Sequence, residues 1–199
     1  MPCFIPPKPF FIYHNKMKYI SLGNNKQEVS LSEGSFKGLS DEGQLFMPAE
    51  ISQLEPDWIR SLPNLSLEQI AAHVLWPYVK DELGEREFQQ IIRETFSFPI
   101  PLVNLHENIN VLELFHGPTQ AFKDVGARFL SRLMSHLHPV GEDKMVVLTA
   151  TSGDTGGAVA HGFHQVPGIE VVVLYPDGKI SPYQEQQMTG LGHNIHAIA

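Results

Sequence analysis

The second half of the sequence alternates between short apolar segments and longer amphipathic ones, and this order restricts the fold more than any other feature. Segments typical of strands cover Val111 to Phe115, Met145 to Ala150, Ile169 to Tyr175 and Asn194 to Ala199, and segments with helical spacing lie between them at about 121–138, 155–165 and 182–189. A β-α-β-α order predicts a parallel sheet with right-handed crossovers and helices on both faces. The unbroken apolar run from Met145 to Ala150 predicts a strand that is buried on both faces. We therefore expect an α/β fold that binds its ligand at the carboxyl ends of the strands.

Two short polar segments follow the first two of these strands. The segment from His116 to Asp124 places Lys123 in the opening turn of a helix, and the small residues Gly126 and Ala127 one turn later leave space for a flat group beside the amine. The segment from Thr151 to Gly156 offers hydroxyls and backbone N–H groups to an anion at a helix N-terminus, where unpaired donors and the helix dipole favour negative charge. An amine nucleophile facing an anion site suits amino-acid chemistry through a Schiff base.

The same residues carry a family resemblance. The run from Leu114 to Asp124, followed by Ala150 to Gly156, resembles the threonine synthases of the bacterial and fungal type. That family belongs to the tryptophan-synthase-β-like (fold type II) pyridoxal-phosphate enzymes. The likeness extends from about Met17 to the last residue. It implies the parallel doubly wound sheet of that fold type, preceded by a small α+β N-terminal domain, and the conversion of O-phospho-L-homoserine and water into L-threonine and phosphate.

The resemblance also implies roles for individual residues. Lys123 would bind pyridoxal 5'-phosphate through a Schiff base and then act as the general base once the substrate amine has replaced it. Asp154 would contact the cofactor, and the substrate-binding residues would be Thr151, Ser152, Gly153, Thr155 and Lys179. His116 belongs to the family motif and is interpreted as a structural residue or as one that supports the site from behind.

Two of these assignments leave alternatives open. Many relatives in the wider fold have an asparagine where this chain has Asp154, and a carboxylate cannot donate a hydrogen bond unless it is protonated. Either the carboxylate and the cofactor share a proton or Asp154 turns towards the backbone. Lys179 precedes Ser181 and Pro182, which resemble the N-cap and first position of a helix, so this segment could also serve only to cap that helix.

The resemblance divides the chain into three parts. Residues 1–16 are an extension of unknown role that lacks the features of a signal peptide, residues 17–98 form the N-terminal domain, and residues 99–199 form the first part of the catalytic domain. Within the N-terminal domain, a turn is expected at 41–43, and a capping box from Ser66 to Gln69 opens a helix that is expected to end near Pro77. The family's loop for the cofactor phosphate comes later in its sequences, so the chain looks truncated, and residues 1–199 alone are not expected to make threonine.

Composition excludes several other classes of function. The net charge of −8 argues against nucleic-acid and membrane partners. Cys3 is the only cysteine, so no intrachain disulfide can form and a cytoplasmic location is expected. The histidine spacings do not form a metal motif, and the segment from Ser152 to Gly157 matches neither common nucleotide fingerprint. A related phospho-lyase, which would release an oxo acid and ammonia, and a non-catalytic fragment remain as alternatives. The sequence does not indicate an oligomeric state.

Overall fold

The computed structural model describes residues 16–138 and 144–199. Residues 1–15 and 139–143 lie outside the described residues, and with them lie Cys3 and nearly all of the 1–16 extension. Contacts divide the chain into two compact units, of which the first ends at Ile51 and the second begins at Ser52. None of the helices in the described ranges is long and apolar enough to cross a membrane.

The first unit contains a small antiparallel sheet and one helix. Its strands are β1 (Tyr19–Ser21), β2 (Glu28–Val29) and β3 (Phe46–Pro48), in the order β2-β1-β3, and α1 (Leu31–Lys37) lies between β2 and β3 in the sequence. The predicted turn at 41–43 is confirmed. Gly43 has a φ of 71° and donates its N–H to Ser40 O at 2.9 Å, a backbone conformation that glycine adopts without strain.

The second unit begins with helices. They are α2 (Pro56–Ser61), which continues into a 3₁₀ turn (Leu62–Asn64), then α3 (Leu67–Val79) and α4 (Glu85–Thr95). The predicted capping box is present, because Gln69 N donates to Ser66 Oγ and Ser66 N donates to Gln69 Oε1. The helix ends at Val79, two residues beyond Pro77, so the predicted end near Pro77 is confirmed. A proline removes its own N–H from the helix ladder and crowds the carbonyl four residues back, and the side chains of Pro77 and Val79 are buried in the last turn.

A hairpin follows where the first strand of the parallel sheet was expected. Strands β4 (Leu102–His106) and β5 (Ile109–Leu112) pair with each other in antiparallel orientation. The predicted strand from Val111 to Phe115 is therefore wrong in its bounds and in its partner, since β5 ends at Leu112 and does not join the parallel sheet. An apolar run indicates a strand but does not identify the strand that pairs with it.

The remaining elements confirm the predicted alternation. They are α5 (Lys123–Leu137), β6 (Met145–Ala150), α6 (Asp154–Phe163), β7 (Ile169–Leu174), α7 (Pro182–Thr189) and β8 (Ile195–Ile198). The last three strands form a parallel sheet in the order β6-β7-β8. Because parallel strands end at the same edge of a sheet, the segments after β6 and β7 lie side by side, and Thr151 N donates to Leu174 O at 2.9 Å.

The two faces of this parallel sheet differ. One face is part of the core, where Val171 and Val173 pack with Ala160, Phe163 and Met188. On the other face Val146 is 60% exposed and Leu148 is 66% exposed, so the prediction that β6 is buried on both faces is wrong. Within the described residues the helices cover one face only. The apolar sequence of β6 shows that both of its faces carry apolar side chains, but it does not indicate which helix or strand covers the second face.

Candidate active site

Lys123 is the first residue of α5, as the sequence predicted. The preceding residue, Phe122, has helical φ and ψ angles and provides no side-chain cap. The Lys123 amine lies 5.7 Å from the centre of the Phe122 ring, and the ring itself is exposed. Asp124 N donates to Ala121 O at 3.0 Å and no side chain caps α5, and the lysine stands at the positive end of the helix dipole.

Only one of the two small residues one turn later leaves open space. A Cβ added to Gly126 would meet no atom within 4 Å. By contrast, Ala127 lies against α6, where a Cβ added to Gly162 would come within 3.0 Å of the Ala127 carbonyl. The small size of Ala127 is thus explained by helix packing. Gly126 therefore presents an open surface one turn from the Lys123 amine.

The segment that leads to and includes the lysine, residues 117–123, is here called the lysine loop. It is fixed by Asp124, which is 1% exposed. Thr119 donates its backbone N–H to Asp124 Oδ2 at 2.9 Å and its hydroxyl to Oδ1 at 2.6 Å. A Cβ on Gly117 would collide with the same carboxylate. A residue adjacent to the lysine thus determines how the chain approaches the lysine, a role that the sequence pattern did not reveal.

Residues 151–157 are here called the glycine loop. Thr151 Oγ1 accepts hydrogen bonds from Gly153 N at 3.0 Å and from Gly156 N at 2.9 Å, so its hydroxyl closes the loop and keeps only its own hydrogen to donate. Gly153 precedes α6 with a φ of 138°, a conformation that side chains other than glycine rarely adopt. The side chains of Ser152 and Thr155 are exposed at the start of α6.

In the structure the Asp154 carboxylate turns to a side chain and not to the backbone, and its contact with the cofactor stays a prediction. Its Oδ1 accepts a hydrogen bond from Gln184 Nε2 at 2.8 Å. Gln184 is also the third helical residue of α7, where it completes a capping box with Ser181, and Pro182 occupies the first position of that helix. The capping interpretation of this segment is therefore confirmed. Lys179 is exposed in the turn before the cap, where its N–H donates to Pro176 O at 3.2 Å.

A second glutamine on α7 reaches the lysine loop. Gln187 Nε2 donates to Thr119 O at 3.2 Å. Helix α7 therefore contacts both loops, through Gln184 at the glycine loop and Gln187 at the lysine loop. Sequence reasoning missed both residues. The capping box from Ser181 to Gln184 could have indicated Gln184, whereas Gln187 had no comparable signal.

Two histidines, His116 and His161, lie near the two loops. His116 Nε2 lies 2.6 Å from Glu113 Oε2, which makes His116 part of a local pair ahead of the lysine loop. His161 on α6 is half-buried, and its pKa is lowered chiefly by burial, while the Asp124 carboxylate acts to raise it and His164 acts to lower it. In the ranges 16–138 and 144–199, no cluster of histidine, cysteine and acidic side chains has the arrangement of a metal site.

Two family models match the chain in succession. The model described as the threonine synthase N terminus matches residues 18–96, and the model described as pyridoxal-phosphate dependent enzyme matches residues 95–199. The second model covers just over half of the chain. The chain belongs to the pyridoxal-phosphate-dependent enzyme family. The resemblance found in the motifs is thereby confirmed, and so is the cofactor class.

Similar proteins bear the name threonine synthase. The protein from Escherichia coli K12 is 39% identical over 183 residues, which are 92% of this chain and 42% of the relative. The Haemophilus influenzae protein is 41% identical, with the same two coverages. The crystal structure of the Escherichia coli threonine synthase matches with a TM-score of 0.84 at 39% identity, over 92% of this chain and 42% of that one. A threonine synthase structure from Brucella melitensis, described as bound to PLP, matches with a TM-score of 0.83 at 36% identity, over 91% and 40% of the two chains. The chain thus spans about two-fifths of the length of these relatives.

Proposed function

We propose that this chain is the N-terminal part of a threonine synthase, which converts O-phospho-L-homoserine and water into L-threonine and phosphate. The observation that carries the proposal is the position of Lys123 in the first turn of α5, beside the open surface at Gly126. The names of the relatives support the reaction, and the open surface fits the cofactor of the family.

Lys123 would hold pyridoxal phosphate through its Nζ. When bound, the cofactor supplies an electron sink for carbanion chemistry. Once its amine is free, Lys123 Nζ would act as the base that moves protons at Cα and Cβ of the substrate. Phosphate would leave from Cγ, which would take up the proton removed from Cβ, and water would add its hydroxyl at Cβ and its proton at Cα. Asp124 keeps the lysine in place by binding Thr119 with both carboxylate oxygens.

The glycine loop would bind the carboxylate of the substrate. The exposed hydroxyls of Ser152 and Thr155 and the unpaired N–H groups at the start of α6 are the donors, while Thr151 closes the loop and Gly153 allows its conformation. A helix N-terminus of this kind favours an anion. Asp154 stays assigned to the cofactor, with Gln184 fixing its orientation. Lys179, exposed beyond β7, is the proposed cation for a further anionic group of the substrate.

Domain bounds and location are part of the same proposal. An N-terminal domain at 17–98 and the first part of a catalytic domain at 99–199 are supported by the junction of the two family models at 95–96. A cytoplasmic location is supported by the presence of a single cysteine. The segment 1–199 alone is proposed to be inactive, because a strand face rich in apolar side chains is open in it and such faces ordinarily need a cover.

The test is a product assay on the intact protein that carries this sequence. Pyridoxal phosphate and O-phospho-L-homoserine are added, and phosphate, threonine, oxo acid and ammonia are measured together. Equal amounts of threonine and phosphate support the proposal. Oxo acid and ammonia in place of threonine would identify a phospho-lyase, and no turnover together with no cofactor absorbance would indicate a non-catalytic protein. Either result would overturn the proposal.

A further inference from the structure

We propose that α7 sets the spacing between the lysine loop and the glycine loop, with Gln184 and Gln187 as positioning residues. The contacts that carry this inference do not depend on the ligand. The inference rests on the proposed function only for the identity of the groups that the two loops bind.

Gln187 connects α7 to the lysine. Its side-chain amide donates to Thr119 O at 3.2 Å, between residues 68 positions apart in the sequence. Thr119 is in turn bound to the buried Asp124 through its N–H and its hydroxyl. The chain of hydrogen bonds from Gln187 through Thr119 to Asp124 thus ends at the residue adjacent to Lys123. A shift of α7 would be transmitted to the lysine through one neutral hydrogen bond and then two hydrogen bonds to a carboxylate.

Gln184 connects the same helix to the glycine loop. Its Nε2 donates to Asp154 Oδ1 at 2.8 Å, and its Oε1 accepts from Ser181 N at 3.1 Å. Both ends of this side-chain amide are therefore occupied, which fixes its rotamer and its direction. Gln184 and Gln187 are three residues apart, so they lie on the same side of the helix. Each of them contacts a different loop.

Glycines of the glycine loop face α7. A Cβ on Gly153 would collide with the Gln184 side chain, and a Cβ on Gly157 would lie 3.1 Å from Gln187 Oε1. Between these two, a Cβ on Gly156 would lie 2.6 Å from Sδ of Met188, which is fully buried. The close approach of α7 therefore explains why this segment is rich in glycine. The loop and the helix fit each other without a ligand between them.

A purely structural role for the two glutamines makes a different prediction. If they served only to fill the space over the glycines, an unbranched side chain of similar length would replace them. If they position the loops, the donated hydrogen bond is required, and each substitution loosens the loop that it contacts. Gln→Met keeps the shape and removes the donor, so it separates the two roles at Gln187, while at Gln184 it also removes the acceptor of Ser181 N. Gln186 lies on the same helix with its side chain exposed and provides the matched control.

The experiment measures amide hydrogen exchange in the intact protein without cofactor, for Gln187→Met, Gln184→Met and Gln186→Met. We expect Gln187→Met to speed exchange in the lysine loop by about three- to tenfold, the effect of losing one net hydrogen bond. Gln184→Met should do the same in the glycine loop. Gln186→Met should change neither. If Gln187→Met and Gln184→Met both leave the exchange rates of the two loops at their wild-type values, the glutamines serve only to fill space, and the proposal is overturned.

Two further measurements complete the test. Gln187→Glu keeps the length of the side chain but presents a carboxylate to the Thr119 carbonyl, and it should loosen the lysine loop as Gln187→Met does. Faster exchange over the whole chain in both variants would show that Gln187 holds the fold in general, and would also overturn the proposal. With cofactor and substrate, Gln187→Met should mainly lower kcat and Gln184→Met should mainly raise KM. If the wild-type protein fails to make threonine, the function is wrong, while the exchange result still decides the role of α7.

Discussion

The two loops of the candidate site are held in different ways. The lysine loop depends on a buried side chain, because Thr119 binds Asp124 with both its N–H and its hydroxyl. The glycine loop depends on close packing, because Gly156 lies within reach of Met188, Val173 and Thr151 and has no room for a Cβ. The lysine loop is therefore best tested by removing the Asp124 carboxylate, and the glycine loop by adding a methyl group at Gly156. The proposal gives chemistry to the lysine loop and substrate binding to the glycine loop.

Replacing Lys123 with alanine tests the assignment of chemistry to the lysine loop and should have the largest effect. Turnover and the absorbance of the lysine-bound cofactor near the visible edge should both disappear, because no other amine stands in the first turn of α5. Borohydride trapping on the intact protein, followed by peptide mapping, is the measurement. Undiminished trapped cofactor in Lys123→Ala would move the attachment site elsewhere.

Replacing Asp124 with alanine tests the sensitivity of the lysine loop to removed atoms. Two buried donors of Thr119 lose their acceptor, and at about 1–3 kcal/mol for each unsatisfied group the free energy of unfolding should fall by about 2–6 kcal/mol. Denaturant unfolding of the intact protein measures the change. Asp177→Ala, at an exposed carboxylate, is the control and should differ little from wild type. An equal effect at both positions would remove the special role of Asp124.

Adding one methyl group tests the opposite sensitivity of the glycine loop. Gly156→Ala overpacks the contact with Met188 and should lower the free energy of unfolding by about 1–3 kcal/mol. The matched change Gly126→Ala lies in open space on α5, so it should raise stability by about 0.5–1 kcal/mol while weakening cofactor binding. Thermal unfolding and a cofactor titration of both variants separate these effects. A stable Gly156→Ala variant would show that α7 can move away.

Removing a hydroxyl from the glycine loop should affect binding and leave the loop intact. Ser152→Ala and Thr155→Ala each remove a donor proposed for the substrate carboxylate, and a hydrogen bond to a charged group is worth about 1.5–3 kcal/mol. Substrate binding should weaken by roughly ten- to a hundredfold at unchanged cofactor occupancy. Calorimetric titration with substrate and the cofactor absorbance are read on the same samples. Lost occupancy with unchanged substrate affinity would reverse the two roles.

Acidification should produce the smallest effect. Burial lowers the pKa of His161 below its ordinary value of 6.5, so the folded state prefers the neutral ring and the unfolded state binds more protons below that pH. Stability should therefore fall as the pH drops through and below 6.5, and return as it rises. His161→Gln should reduce this slope. Unfolding midpoints measured from pH 7.5 to 5.5 provide the check, and an unchanged slope in the variant would assign it to other groups, such as His73, whose pKa burial also lowers.

The sequence by itself determined the features that depend on neighbouring residues. A capping box located the start of α3, an N-cap serine followed by proline located the start of α7, helical spacing placed Lys123 in the first turn of α5, and the alternation of segments predicted that β6, β7 and β8 are parallel. These features follow from hydrogen bonds and periodicities that span one or two turns, so the local sequence is enough to specify them.

Only the tertiary structure decided which strands pair and which side chains contact each other. The pairing of β5 with β4, the open face of β6, the bond from Gln187 to Thr119 and the turn of Asp154 towards Gln184 were not predicted. The last two join residues 68 and 30 positions apart. Each of these contacts depends on where a whole helix or strand lies. A side chain bonds to the partner that this position brings within reach. A local pattern specifies which groups can donate or accept, but packing selects their partners.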